Sequence, residues 1–351
     1  MNIRQEKPYL TTRKLHPENQ ESPVHFLELE TYPEKYFYKR NHFAYPNLTS
    51  DALFLPVSGH VEHTLVFTLE QIRQMPSKTI KTILECSGNK RQFFRPEVYG
   101  EQWEKGALSQ GDWTGVPLRH LLQNAGILSG TQEVVFEAYD FGQRKDLDGS
   151  FYFARSLPMD IALHPDTIIA FEYNGMPIPF KHGFPFRVIV PGWYAMASVK
   201  WLKRIIVIDK KFNGPYQTID YVFYPHKEKD EGRFPVTYMN VNSAIQRPQS
   251  LQELQTGVQV IKGMAWTGQG IVDKVEISLD NGKTWASATL SPGRHYSFSR
   301  WNYTWLAEEP GEFEILSRAT DSAGRVQPEM PFWNRKGYGY NAIDRVKVKV
   351  L

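Results

Sequence analysis

The chain has 351 residues, which at about 150 residues per domain argues for two domains and excludes a single small module. Forty-one Lys and Arg stand against 38 Asp and Glu, a formal +3 spread along the chain, which excludes a nucleic-acid-binding tract; 41% hydrophobic and 14% aromatic residues exclude a disordered chain. The single cysteine, Cys86, excludes an intramolecular disulfide, a CxxC redox pair, a CxxCH haem attachment and any thiolate-cluster metal site, so its thiol can act only as a nucleophile or as a lone metal ligand.

Residues 64–68 (TLVFT) predict a strand, and Thr68 with Gln71 forms a capping-box pattern opening a short helix that Pro76 stops. Residues 79–85 (TIKTILE) predict a β-branched strand running straight into Cys86-Ser87-Gly88-Asn89, which places the cysteine at a strand end where a glycine turn begins. A helix at 117–124, a strand at 134–139, a short helix near 158–163 and a strand at 167–173 follow, the last closed by Asn174-Gly175; apolar strands at 186–190 and 199–208 come next. Between Pro225 and Pro235 the run HKEKDEGRF is charged and poor in apolar residues, a linker composition. Beyond it, residues 258–266, 274–279, 298–305, 312–319 and 345–350 are strand-like without a helical period, and Leu279-Asp280-Asn281-Gly282-Lys283 signals a tight hairpin. The expected fold class is α+β, with a mixed α/β domain at residues 1–235 and an all-β, immunoglobulin-like sandwich at 236–351.

The stretch LECSGNKR at 84–91, with Trp103, Gly106-Ala107-Leu108-Ser109 and the run WTGVPL at 113–118, resembles the sulfite oxidase family of molybdenum enzymes. Arg40-Asn41-His42 upstream matches in the same order, as do Asn174-Gly175-Met176-Pro177, His182-Gly183-Phe184-Pro185 with Arg187, Pro191-Gly192, Val199-Lys200-Trp201-Leu202, Asp220-Tyr221, Asn242-Ser243 and Trp333-Asn334 downstream. The series spans residues 24 to 351, and an ordered series is far more specific than any one of its tetrapeptides.

The resemblance implies a molybdopterin-binding domain followed by a dimerisation domain, with molybdenum and molybdopterin as cofactor. It makes Cys86 the metal's thiolate ligand, sensible for a soft thiolate beside a dithiolene; apart from the motif, a lone cysteine is more often a buried core residue. Arg40, Arg91 and Trp103 match positions lining an anion pocket, where guanidinium groups grip oxyanions bidentately. Tyr221 matches a tyrosine whose phenol reaches toward the metal's oxygen ligand, with Asp220 beside it to orient basic groups. Arg40, Asn41, His42, Cys86, Ser87, His182, Arg187 and Lys200 fall in the cofactor-holding set, fixed cations and donors suited to a pterin and its phosphate, and Ser198 is assigned to the same set in a slot where its residue type departs from the family. Two departures from the animal pattern stand out: Ala197-Ser198 replace basic or imidazole groups, and Arg335-Lys336 follow Trp333-Asn334 with Lys336 in the slot of a pocket arginine.

The implied activity is oxidation of sulfite by oxygen-atom transfer, with electrons passed to an external acceptor such as a cytochrome and with homodimerisation through the C-terminal domain. Reduction of nitrate or of a sulfoxide stays open as a rival, as does a non-catalytic immunoglobulin-like binding protein; a cysteine hydrolase would need a histidine on Cys86, and no such signature surrounds it. No apolar run approaches the ~18 residues of a membrane span, and residues 1–20 show neither an apolar signal core nor twin arginines, which gives a cytoplasmic expectation.

Overall fold

The computed structural model describes residues 9–26, 28–144 and 146–351. The first domain is built on two five-stranded sheets. One orders Met176–Pro177, Ile168–Tyr173, Leu108–Pro117 and Lys78–Glu85, with Arg187–Ile189 also pairing Ile168–Tyr173; the other runs Leu65–Thr68, Phe54–Gly59, Leu202–Ile208, Glu133–Gln143, Ser150–Pro158. Every pairing in them is antiparallel except that of Phe54–Gly59 with Leu202–Ile208.

Helices contribute less than expected: the α-helices of this domain are Leu69–Gln74, Leu118–Ala125, Met159–Ala162 and Pro215–Thr218, none longer than eight residues. The domain has mixed α/β content in which strands dominate. The capping box forms, with the Gln71 N–H donating to Thr68 Oγ1 at 3.1 Å and the Thr68 N–H to Gln71 Oε1 at 2.8 Å. The long strand Leu108–Pro117 was hidden in the sequence by Gly111 and Gly115, poor strand formers. Both glycines serve close approach, since a Cβ on Gly111 would stand 2.1 Å from the Tyr173 ring and one on Gly115 2.3 Å from the Ile169 carbonyl oxygen.

The second domain is all β. Asn242–Arg247, Gly257–Trp266, Ser299–Ala307 and Thr289–Ser291 form one sheet; Gln252–Leu254, Asp344–Val350, Gly311–Asp321, Val272–Ser278 and Ala286–Ser287 form the other. Strand Asp344–Val350 shows how the core is made: Val346, Val348 and Val350 point inward and Arg345, Lys347 and Lys349 outward, and the inward valines share one cluster with Ile261 and Trp301 of the opposite sheet. The turn at 279–283 is wider than the predicted tight hairpin. Asn281 and Gly282 do take positive φ (59° and 82°), but pairing resumes only at Ile277 with Ala286 because Asp280 accepts from the Thr284 N–H (2.9 Å) and hydroxyl (2.7 Å), folding the intervening residues into a loop. No helix among the described residues is long and apolar enough to cross a membrane.

Candidate active site

Strand Lys78–Glu85 enters the core with its last four residues buried and delivers Cys86 at its end. The Cys86 N–H donates to the Ala107 carbonyl (2.8 Å), the Cys86 carbonyl accepts from Asn89 N–H (2.8 Å), and the turn closes with Arg91 N–H on the Gly88 carbonyl (3.0 Å). Gly88 is required there, because a Cβ would lie 2.5 Å from the Arg91 guanidinium.

Cys86 and Ser87 face a cleft. Arg187, on strand Arg187–Ile189, donates to the carbonyls of Ser198 (3.2 Å) and His182 (3.0 Å). Lys200 reaches the Arg40 carbonyl at 3.1 Å and the Asn41 side chain, while the Ser198 hydroxyl accepts from Val190 N–H at 3.1 Å. Three cations, Arg40, Arg187 and Lys200, thus line the cleft against one carboxylate, Asp140. Burial, reinforced by Arg187, pushes Lys200 well below the usual lysine range, and burial lowers Arg187 to about 10. Burial raises Asp140 to about 6 despite the pull of Lys200, and raises the Cys86 thiol against the pull of Arg40 and Arg91.

His42 and Tyr221 form the far wall, with His42 Nε2 and the Tyr221 hydroxyl 2.6 Å apart. Burial, together with Arg40, Arg144 and Lys200, depresses His42 well below the usual imidazole value, so the ring is neutral. Arg40 Nη2 lies 3.4 Å from Nδ1 and can only donate, which leaves the proton on Nε2. His42 therefore donates to the phenol oxygen, and the phenol's own proton is free to point into the cleft.

Of the residues singled out from the sequence, the cleft is lined by all but Asn41, Arg91, Trp103, Asp220 and Lys336. Asn41 is a bracket, donating to the Glu18 carbonyl at 2.7 Å and accepting from Lys200. Arg91 lies behind the cysteine turn with its fork on the carbonyls of Lys336 (3.1 Å), Gly337 (3.2 Å) and Glu101 (3.0 Å). Trp103 is wholly buried in the cluster that contains Cys86, its indole N–H without a partner. Asp220 accepts from Arg144 and, at 3.5 Å, from Lys336. Arg335 turns away onto Asp230 and the Tyr224 ring, so of the two adjacent cations it is Lys336 that faces the Asp220-Tyr221 segment. Sequence reasoning missed Asp140, Arg144, Arg155 and Tyr338; only Tyr338 carried a local signal, an aromatic between Gly337 and Gly339, which both take positive φ (61° and 67°).

The donor set fits molybdopterin. His182 Nε2 and Ser87 Oγ are buried with no partner, as atoms awaiting a hydrogen-bonding ligand would be. The surplus of buried cations calls for a phosphate, and the thiol is a soft ligand.

Residues 42–216 match the oxidoreductase molybdopterin binding domain and residues 233–351 the Mo-co oxidoreductase dimerisation domain, which defines the class as a molybdopterin oxidoreductase. The chain is 34% identical to mitochondrial sulfite oxidase of Rattus norvegicus over 98% of its own length and 66% of that protein's, and 35% identical to sulfite oxidase of Gallus gallus over 94% and 76%. The crystal structure of the sulfane dehydrogenase SoxCD from Paracoccus pantotrophus superposes with a TM-score of 0.82 at 27% identity, covering 99% of this chain and 86% of that one. The chain belongs to the sulfite oxidase family, and its cofactor is molybdenum held by molybdopterin. It spans about two thirds of the length of the rat protein.

Proposed function

We propose that the protein oxidises sulfite to sulfate, SO₃²⁻ + H₂O giving SO₄²⁻, two protons and two electrons, and passes the electrons to an external acceptor, a cytochrome. The observation that carries this reading is a buried thiol at the head of a glycine turn, facing a cleft with three cations and one carboxylate. When bound, the cofactor supplies the two-electron oxygen-atom transfer. Cys86 would hold the metal. His182 Nε2 and Ser87 Oγ would satisfy the pterin, and Arg187, Lys200 and Ser198 would meet its phosphate, with Asn41 and His42 fixing the lysine and the phenol. Arg40 brings a permanent charge to the oxyanion, supported from behind the turn by Arg91 with Trp103 packed beneath it. Tyr221, its oxygen held by His42, donates its proton toward the oxyanion, while Asp220 holds Lys336 and Arg144 beside the tyrosine. The same reading has the protein act in the cytoplasm as a homodimer paired through its C-terminal domain, of immunoglobulin-like type.

The test is metal analysis of the purified protein with sulfite-dependent reduction of a dye and of cytochrome c. About one molybdenum per chain with sulfite turnover is expected, and Cys86→Ala should abolish turnover and leave a folded protein. Turnover unchanged in that variant would sink the reading; molybdenum with nitrate or sulfoxide reduction in place of sulfite oxidation would replace the substrate.

A further inference from the structure

We propose that Arg155 is a positioning residue for Tyr221, holding the phenol in place as the last layer of a stack that runs Arg91, Tyr338, Tyr221, Arg155; this rests on Tyr221 acting in the cleft. Tyr221 needs such support. Its φ of +52° lies in the left-handed region, which a bulky side chain occupies only where surrounding contacts over-determine it. One contact is the 2.6 Å hydrogen bond with His42, which fixes the hydroxyl and leaves the ring plane to be set by what lies on its two faces.

Tyr338 stacks on Tyr221 with ring centroids 5.5 Å apart and planes 23° apart, and the Arg91 guanidinium lies 5.2 Å from the Tyr338 centroid. The Arg155 guanidinium lies 5.4 Å from the Tyr221 centroid. A cation against the electron-rich face of a ring is attractive, and the attraction grows where water is absent. All four residues are buried, so the stack works in such a place.

Arg155 has little other reason to be there. It projects from strand Ser150–Pro158 and is 1% exposed. It donates to the Tyr216 carbonyl, its Nε–H has no partner, and among the described residues no carboxylate pairs with it. A buried guanidinium without a carboxylate against it is expensive, and a hydrophobic residue of similar length would serve packing better. Its retained contacts are with the tyrosine and with the backbone of Tyr216, whose ring in turn packs on His42 at 4.9 Å. The arginine therefore grips both residues of the hydrogen-bonded pair, the phenol directly and the imidazole through Tyr216.

The test uses holoprotein carrying ¹³Cζ-labelled tyrosine, with the Tyr221 resonance identified by its loss in Tyr221→Phe. Arg155→Met should load molybdenum as the wild type does, shift that resonance, and lower kcat/KM for sulfite by about tenfold. Arg155→Lys, which keeps the charge without the planar face, should fall between the two. Because the effect runs through the phenol, Arg155→Met should cost little more in a Tyr221→Phe background, whereas a merely structural loss would persist there. An unmoved Tyr221 resonance in Arg155→Met, or the full tenfold loss in the double variant, overturns the proposal. Should Arg155→Met fail to fold, an unmoved resonance in Arg155→Lys overturns it equally. The resonance is read without substrate, so a protein that does not oxidise sulfite would fail the functional reading while leaving this measurement decisive.

Discussion

Lys90 gives the sharpest stability prediction. It is 1% exposed, turns through φ +64° at the end of the cysteine loop, and crosses into the C-terminal domain to donate to Asn242 Oδ1 (2.7 Å) and the Ser243 carbonyl (2.8 Å), 3.9 Å from Asp344 Oδ1 and over the Trp266 ring. Breaking a buried ion pair by removing one partner costs about 3–5 kcal/mol because it strands the other charge. Here Asp344 is not stranded in Lys90→Met: it keeps Lys105 at 2.8 Å and the Ile245 N–H at 2.8 Å, and Asn242 Oδ1 keeps the Gln327 amide at 3.2 Å. The variant also escapes the burial cost that depresses Lys90 to about 8. The net loss is therefore roughly 2 kcal/mol, below that range because neither partner is left unpaired. At about 2.1 cal/mol/K per residue, a chain of this length melting as one unit loses ~3 °C in Tm at pH 7. A pH leg follows from the same group. The unfolded lysine binds its proton up to its ordinary value while the folded one releases it near 8, so between those values the unfolded state holds more protons and wild-type stability gains with rising pH. Lys90→Met lacks that gain, and the Tm gap should widen above pH 8 in paired near-UV circular dichroism melts. A gap under one degree at pH 7, or one that narrows as pH rises, would refute the account.

Two further predictions use other parts of the chain. Thr68→Ala removes the hydroxyl half of the capping box on Leu69–Gln74 and should cost about 1 kcal/mol, read as a drop of one or two degrees in Tm with sulfite turnover untouched; altered turnover would mean the helix matters to the cleft in a way the geometry does not show. Lys336→Ala removes the cation held by Asp220 beside Tyr221 and should raise KM for sulfite about three- to tenfold with kcat nearly constant, while Lys336→Arg, with its bidentate fork, should lower KM; steady-state kinetics that move kcat instead would place this lysine at the reacting atoms.

What could be read in the sequence was what local chemistry dictates. A hydroxyl and an amide three residues apart cap a helix wherever they occur, and the Thr68–Gln71 box formed as written. β-Branched residues running into a glycine turn put Cys86 where a strand ends. The losses lie where tertiary contact overrides propensity. Gly111 and Gly115 argue against a strand until Tyr173 and Ile169 are seen to occupy the space their side chains would take. The loop at 279–283 opened because the Asp280 carboxylate found Thr284, a bond that the turn residues alone do not announce. Which of Arg335 and Lys336 turns toward the Asp220-Tyr221 segment was undecidable in one dimension, because it depends on Asp230 and Tyr224 holding the arginine away. Arg155 had no signal at all, since one arginine in a half-buried strand looks like any other.

The two domains are separate in sequence and a single unit at the cysteine. Three residues of the turn have partners across the boundary: the Ser87 carbonyl accepts from Gly339 N–H at 2.7 Å, Arg91 ends on the Lys336 and Gly337 carbonyls, and Lys90 ends on Asn242 and Ser243. Glu85, just before the thiol, accepts from the Trp266 indole at 2.8 Å as well as from Asn89 at 3.0 Å, and burial lifts its carboxyl to about 7. Such bonds are made in a dry interior, where an unmade one costs ~1–3 kcal/mol, so the turn cannot keep its shape if the C-terminal domain shifts against it. The position of the Cys86 thiol is thus set jointly, by a strand from one domain and carbonyls and side chains from the other. The C-terminal domain is therefore part of the cysteine site's framework.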